Sequence, residues 1–137
     1  MARRPQPHPV PWDAAFWDGA AQGKLLIQRC ADCGHLQFYP HPACVACFSP
    51  DLGWQESAGA GEVYSYTAVR APLDAVFKEE VPIYLVDVIL AEGVRVLARL
   101  ADADQGALEI GDPVTVELTA NEPAGVPVPY VRKSSGR

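Results

Sequence analysis

Cys30-Ala31-Asp32-Cys33 and Cys44-Val45-Ala46-Cys47 stand ten residues apart and hold every cysteine of the chain. A Cys-x-x-Cys turn aims two sulfurs at one point in space. Two such turns supply four thiolates at about 2.3 Å from a zinc ion and close its tetrahedral shell. A closed shell leaves no position for water or substrate, so the reading is a structural site with Cys30, Cys33, Cys44 and Cys47 as ligands. Gly34 follows the first pair, where the turn favours positive φ. Phe48 follows the second, so a less regular turn is expected there. A redox dithiol explains one pair but not two. Paired disulfides suit a secreted chain, and no segment resembles a signal peptide. His35 and His41 lie close by and could replace a thiolate. Histidines in such loops are more often exposed, and that is the expectation here.

The flanking residues extend this site into a module. Lys24 to Arg29 reads as a strand entering the first pair, and Leu36 to Tyr39 as its return, stopped by Pro40 and Pro42. The ribbon at 24–54 has few apolar residues, so metal is expected to supply most of its stability. Before it, residues 1–23 hold an extended, mobile arm with prolines at 5, 7, 9 and 11, then a helix from Trp12 to about Gly23. Asp13 is placed to cap that helix. Trp12, Phe16, Trp17 and Ala20 share its face, which packs on its own domain or on a partner.

Residues 55–131 read as all-β. Five strands are expected at 62–70, 82–91, 94–101, 113–119 and 126–131. A longer loop at 71–81, a hairpin turn at Glu92-Gly93, a short connection with one helical turn at 102–111 and a turn at 121–125 join them. Val86, Val88 and Leu90, then Val94, Val96, Ala98 and Leu100, alternate inward. Five short strands with one long insert fit a closed barrel of the OB type. The tail from residue 132 is expected to be disordered. The fold class is therefore mainly β: helix, rubredoxin-like zinc ribbon, five-stranded OB barrel.

With 137 residues the chain has room for one modest core. No apolar run approaches the roughly 20 residues of a membrane helix, and a reduced tetrathiolate points to the cytoplasm. The net charge of −6 is uneven: residues 55–125 carry −9 and residues 126–137 carry +3. Nucleic-acid surfaces are basic. Tyr64, Tyr66 and Tyr84 could stack on bases, but the acidic body opposes it. No nucleophile triad, phosphate loop or dinucleotide fingerprint appears, and the three histidines sit in the arm and the cysteine loops. No catalytic residue is assigned. Glu79, Glu80 and Asp87 read as solvated charges.

The order helix, ribbon, barrel resembles the zinc-ribbon/OB-fold acyl-CoA-associated proteins. The resemblance spans about 12–131. It is carried by Phe16-Trp17, Gly23-Lys24-Leu25, Gln28-Arg29-Cys30, Cys33-Gly34, Cys44, Cys47, Gly61-Glu62-Val63-Tyr64-Ser65-Tyr66-Thr67, Pro82 and Ile110-Gly111-Asp112-Pro113-Val114. It implies an accessory subunit of a thiolase-like or aldolase catalytic partner, or of a hydratase, in a hetero-oligomer. Such a subunit would stabilise the partner and help form the acyl-CoA channel, with steroid side-chain degradation as one setting. If acyl-CoA is a ligand, its phosphates would meet the cations on the barrel's strand 2–3 face and first loop: Lys78, Arg95 and Arg99. Exposed solubilising charges are the other reading of these three. A single-strand nucleic-acid binder and a stand-alone acyl-CoA enzyme remain as alternative functions.

Overall fold

The computed structural model describes residues 4–71, 74–101, 108–120 and 125–134. The first described residues form an arm that is anchored at Arg4 and Gln6, where a mobile one was expected. The Arg4 guanidinium bonds the Glu80 carboxylate, and the Gln6 side-chain carbonyl accepts from the Val126 N–H at 2.8 Å. Helix α1 runs Ala14–Ala21. Asp13 precedes it, but its carboxylate makes no cap bond within the helix. It accepts from Val10 N at 2.8 Å instead and so turns the arm into the helix. Gly23, at φ 78, ends the turn after α1 in the left-handed conformation that glycine adopts without strain.

The aromatic face of α1 divides between the core and the surface. Phe16 is buried and meets Phe38 and Trp17 edge to face, with centroids at 5.4 and 4.8 Å. Trp17 is half-buried, whereas Trp12 remains exposed. Phe38 was expected within a return strand. Its packing against Phe16 accompanies an early end to that strand, which is only Leu36–Gln37.

Three strands form the ribbon sheet in the order β2–β1–β3: β1 Leu25–Cys30, β2 Leu36–Gln37 and β3 Leu52–Ser57. The last was not expected from the sequence. Its pairing with β1 runs antiparallel from Leu25↔Ser57 to Cys30↔Leu52.

The barrel is built from β4 Ala60–Val69, β5 Ile83–Leu90, β6 Arg95–Leu100, β7 Pro113–Ala120 and β8 Pro127–Lys133. It closes in the order β4–β5–β6–β8–β7, with β6–β8 parallel and β4–β7 antiparallel. All five expected strands are present within a few residues. The alternation holds because the inner positions Val86, Val88, Leu90, Val96, Ala98, Leu100, Val114 and Val116 are buried. A bulge between Val63 and Ser65 leaves Tyr64 without a pairing partner on β5. The expected features at 102–107, at 121–124 and at the extreme tail lie outside the described residues. Ser134 is not loose: its N–H donates to Pro113 O at 3.0 Å.

Phe16, Leu25 and Ile27 join the barrel residues in one continuous core. The inner half of β1 is therefore held by the barrel, and the metal end is left to hold residues from about 30 to 50. The expectation that metal stabilises the whole ribbon narrows to that segment. Among the described residues no helix is long and apolar enough to cross a membrane.

Candidate metal centre and barrel face

The two cysteine turns are the same turn made twice. Cys30 N donates to His35 O and Gly34 N to Cys30 O, both at 2.9 Å. Cys44 N donates to Ser49 O and Phe48 N to Cys44 O, both at 2.8 Å. The irregular second turn expected from the missing glycine does not occur. Phe48 adopts φ 67, the left-handed region that Gly34 reaches at φ 78. A bulky residue there is strained by roughly 1–3 kcal/mol and persists because the surrounding bonds impose the turn. The Ser49 hydroxyl donates to Asp32 and ties one turn to the other.

The sulfurs converge. All four lie within 4.8 Å of one another, with Cys30–Cys47 at 3.6 Å and Cys33–Cys44 at 3.7 Å. The edge of a tetrahedron with about 2.3 Å metal–sulfur bonds is about 3.8 Å. The donor set thus fits zinc, and the separations are far beyond a disulfide bond of about 2.05 Å. Among the described residues this is the one cluster of metal-ligating side chains, and exposed His35 and His41 take no part.

The thiol energetics fit the same picture. The Cys33 backbone N–H, acting against burial, helps lower Cys30 to about 7. At Cys47 the Ser49 backbone bond also lowers the pKa. Burial and the thiols of Cys30, Cys33 and Cys44 outweigh it and push the group up to about 12. The first thiolate forms readily and the last is opposed by its neighbours, so four thiolates in this space call for a cation. The Cys33 and Ala46 N–H groups point at the Cys30 and Cys44 sulfurs, at 3.5 and 3.3 Å, and would stabilise the bound thiolates.

Two residues the sequence reading passed over hold the second loop. Gln28 and Gln37 are buried in β1 and β2. The Gln28 amide oxygen accepts from His41 N at 2.8 Å and from Gln37 Nε2 at 2.7 Å, and its Nε2 donates to His41 O at 3.0 Å. Gln37 in turn accepts from Val45 N at 3.0 Å. Glutamines between apolar positions on neighbouring strands were the available signal. Gln28→Leu should strand both backbone groups of His41 and destabilise the protein by about 2–3 kcal/mol. Thermal melting would show this, together with faster metal transfer to a chromogenic chelator.

The proposed cations lie on two elements of the barrel domain. Arg95 and Arg99 lie on the outer face of β6. Arg95 pairs with Asp87 at 3.0 Å and stacks over Tyr64 at 4.2 Å. Arg99 pairs with Glu80 at 2.8 Å. Lys78 is exposed on the 3-10 helix Ala75–Glu80. Glu80 and Asp87 are therefore partners in ion pairs rather than merely solvated charges, while Glu79 is exposed. Tyr39, from the ribbon, is half exposed, and burial raises its phenol above the ordinary range. A shallow concavity of about 190 Å³ is lined by Ser65, Tyr66, Thr67, Leu85, Asp87 and Leu97.

Two family profiles match the chain. One describes the ChsH2 rubredoxin-like zinc ribbon domain, over residues 17–53, and the other the ChsH2 C-terminal OB-fold domain, over residues 54–119. A probable enoyl-CoA hydratase alpha subunit of Thermomonospora curvata is 39% identical over 123 residues, 89% of this chain and 38% of that protein. The 3-oxo-4,17-pregnadiene-20-carboxyl-CoA hydratase alpha subunit of Mycobacterium tuberculosis is 41% identical over 101 residues, 74% of this chain and 32% of that protein. The chain thus spans about a third of the length of these relatives. A DUF35 domain-containing scaffold protein of Methanothermobacter thermautotrophicus is 33% identical, over 66% of this chain and 68% of that one. A chain of the Ltp2-ChsH2(DUF35) aldolase superposes with a TM-score of 0.81 at 34% identity, covering 93% of this chain and 98% of that one. With the two profiles together covering residues 17–119 and the superposition covering 93% of its length, the chain belongs to the ChsH2/DUF35 family of zinc-ribbon and OB-fold proteins.

Proposed function

We propose that this protein is a non-catalytic accessory subunit of a thiolase-superfamily enzyme acting on acyl-CoA, whether thiolase, acyltransferase or retro-aldolase. It stabilises that catalytic partner in a hetero-oligomer and helps form the acyl-CoA channel. The observation that carries this reading is the near end-to-end likeness to a chain of an aldolase assembly. The chain's own chemistry supports it, because its cysteines converge on a metal-type cluster and its histidines lie in the arm and the loops. A steroid acyl-CoA is the substrate class suggested by the mycobacterial relative.

In this reading Cys30, Cys33, Cys44 and Cys47 hold a structural zinc ion, which suits the reducing cytoplasm. Zinc would supply a four-way crosslink and no open coordination position. Lys78, Arg95 and Arg99 are the proposed contacts for CoA phosphates. Lys78 ranks first, because Arg95 and Arg99 would each have to exchange a carboxylate for phosphate.

Co-expression with a thiolase-like enzyme encoded beside it tests the proposal. A stable complex should co-elute, and the enzyme should lose solubility or activity without this subunit. Absence of any complex, with full activity of the enzyme alone, would overturn the reading. Tight binding of single-stranded oligonucleotide at moderate salt would favour a nucleic-acid role, and acyl-CoA turnover by the purified chain alone would favour a stand-alone enzyme.

A further inference from the structure

The face formed by Tyr39 of the ribbon with Tyr64 and Leu97 of the barrel exposes large apolar side chains, but nothing in the structure shows what covers it. The opposite situation holds at the loop between β4 and β5, where the covering element is visible. That loop carries the 3-10 helix Ala75–Glu80, and no residue of this helix is buried. A short 3-10 turn has poor hydrogen-bond geometry, and among the described residues its ties to distant parts of the chain include ion pairs. Glu80 lies between two guanidinium groups, Arg4 from the arm and Arg99 from β6. The side chains of Arg4, Glu80 and Arg99 are 20%, 25% and 14% exposed, so water screens the cluster only in part. Arg4 also lies over the Phe77 ring at 5.1 Å. Burial works to raise the Glu80 pKa, and the two arginines outweigh it and hold the carboxyl below its ordinary range.

The arm is suited to this contact. Prolines at 5, 7, 9 and 11 stiffen it, so ordering it sacrifices little chain entropy. It is tied at two further points, Gln6 to the start of the β8 segment and Asp13 back to Val10. Arg4 and Glu80 are 76 residues apart in sequence, so the contact joins the first described residue to the middle of the barrel domain.

We propose that residues 4–10 form a strap that holds the 3-10 helix Ala75–Glu80 against the barrel, with Arg4 as its buckle on Glu80 and Phe77. The helix lifts away when the strap lets go. In an OB barrel the loop that carries this helix borders the ligand-binding face, so the strap sets the shape of one edge of that face and the position of Lys78. The inference does not depend on which partner or ligand the face meets.

The test uses the full-length protein and trypsin, since Lys78-Glu79 is a tryptic bond within the strapped helix. Arg4→Ala should speed cleavage after Lys78 about five- to tenfold at unchanged temperature, because proteolysis follows the open population. Amide exchange should rise over residues 75–83 and stay unchanged in β1 and β7. Arg4→Lys should restore part of the protection, because it keeps the charge and loses the planar fork and the stack on Phe77. High salt should speed the wild-type cleavage toward the Arg4→Ala rate. Cleavage and local exchange that ignore Arg4→Ala would overturn the strap. So would a uniform rise in exchange across the barrel, which would mark general destabilisation instead.

Discussion

A Cys30→Ser protein should emerge from purification with its metal content reduced from about one zinc per chain to near zero, and with residues from about 30 to 50 unfolded. Cys30 is buried at the end of β1, and its sulfur lies 3.6 Å from Cys47. Serine keeps the size but not the soft, readily ionised donor. Apparent zinc affinities at such sites correspond to about 10–16 kcal/mol, comparable to the whole stability of a typical domain of about 5–15 kcal/mol. Not all of it is lost to the protein. Leu25 and Ile27 are packed into the barrel core, so β1 keeps its inner anchor while both cysteine turns are released. Elemental analysis and melting should therefore show a metal-free protein with an early transition ahead of a later barrel transition. Strong chelation of the wild type should reproduce this. An unchanged melting profile in Cys30→Ser would argue against a structural metal.

Gly59→Ala should produce the largest effect within the barrel. Gly59 sits at φ +82 just before β4, and its carbonyl accepts from Val116 N at 2.8 Å. A Cβ there would lie 2.4 Å from Val116 O. The Val116 carbonyl cannot move cheaply, since it belongs to the backbone beside the β4–β7 seam that closes the barrel. Strain at positive φ and the steric conflict act together, and a loss of at least about 3 kcal/mol is expected. That is about 10 °C or more in melting temperature for a domain of this size. Gly93→Ala is the control. It also lies at positive φ, but nothing stands within 4 Å of its Cβ position. It should lose only about 1 kcal/mol, the conformational part. Equal losses at the two glycines would show that close approach does not matter at the seam.

Much of the site was legible because its signal is local. Two Cys-x-x-Cys turns carry their ligand geometry in four residues each, and the sulfurs meet as the spacing implies. The barrel strands were legible because Val86, Val88 and Leu90 alternate in a period that only a half-buried strand explains. Phe48 was misjudged for the reverse reason. A residue's preference was read without the bonds from Cys44 and Ser49 that override it. Strand β3 was missed because Leu52–Ser57 has only a weak apolar pattern, and pairing with β1 is what makes it a strand.

The sequence by itself determined the cysteine centre, the five barrel strands to within a few residues and the order of the modules, since each follows from residue type and short-range period. Tertiary structure alone decided that Arg4 of the arm meets Glu80 and Phe77. It also decided that Gln28 and Gln37 pin the second cysteine loop, and that Arg95 and Arg99 are held by Asp87 and Glu80. Those outcomes join residues far apart in the chain. Charges and amides have no period that announces their partners, so only the closed barrel and the folded arm bring them within hydrogen-bond reach.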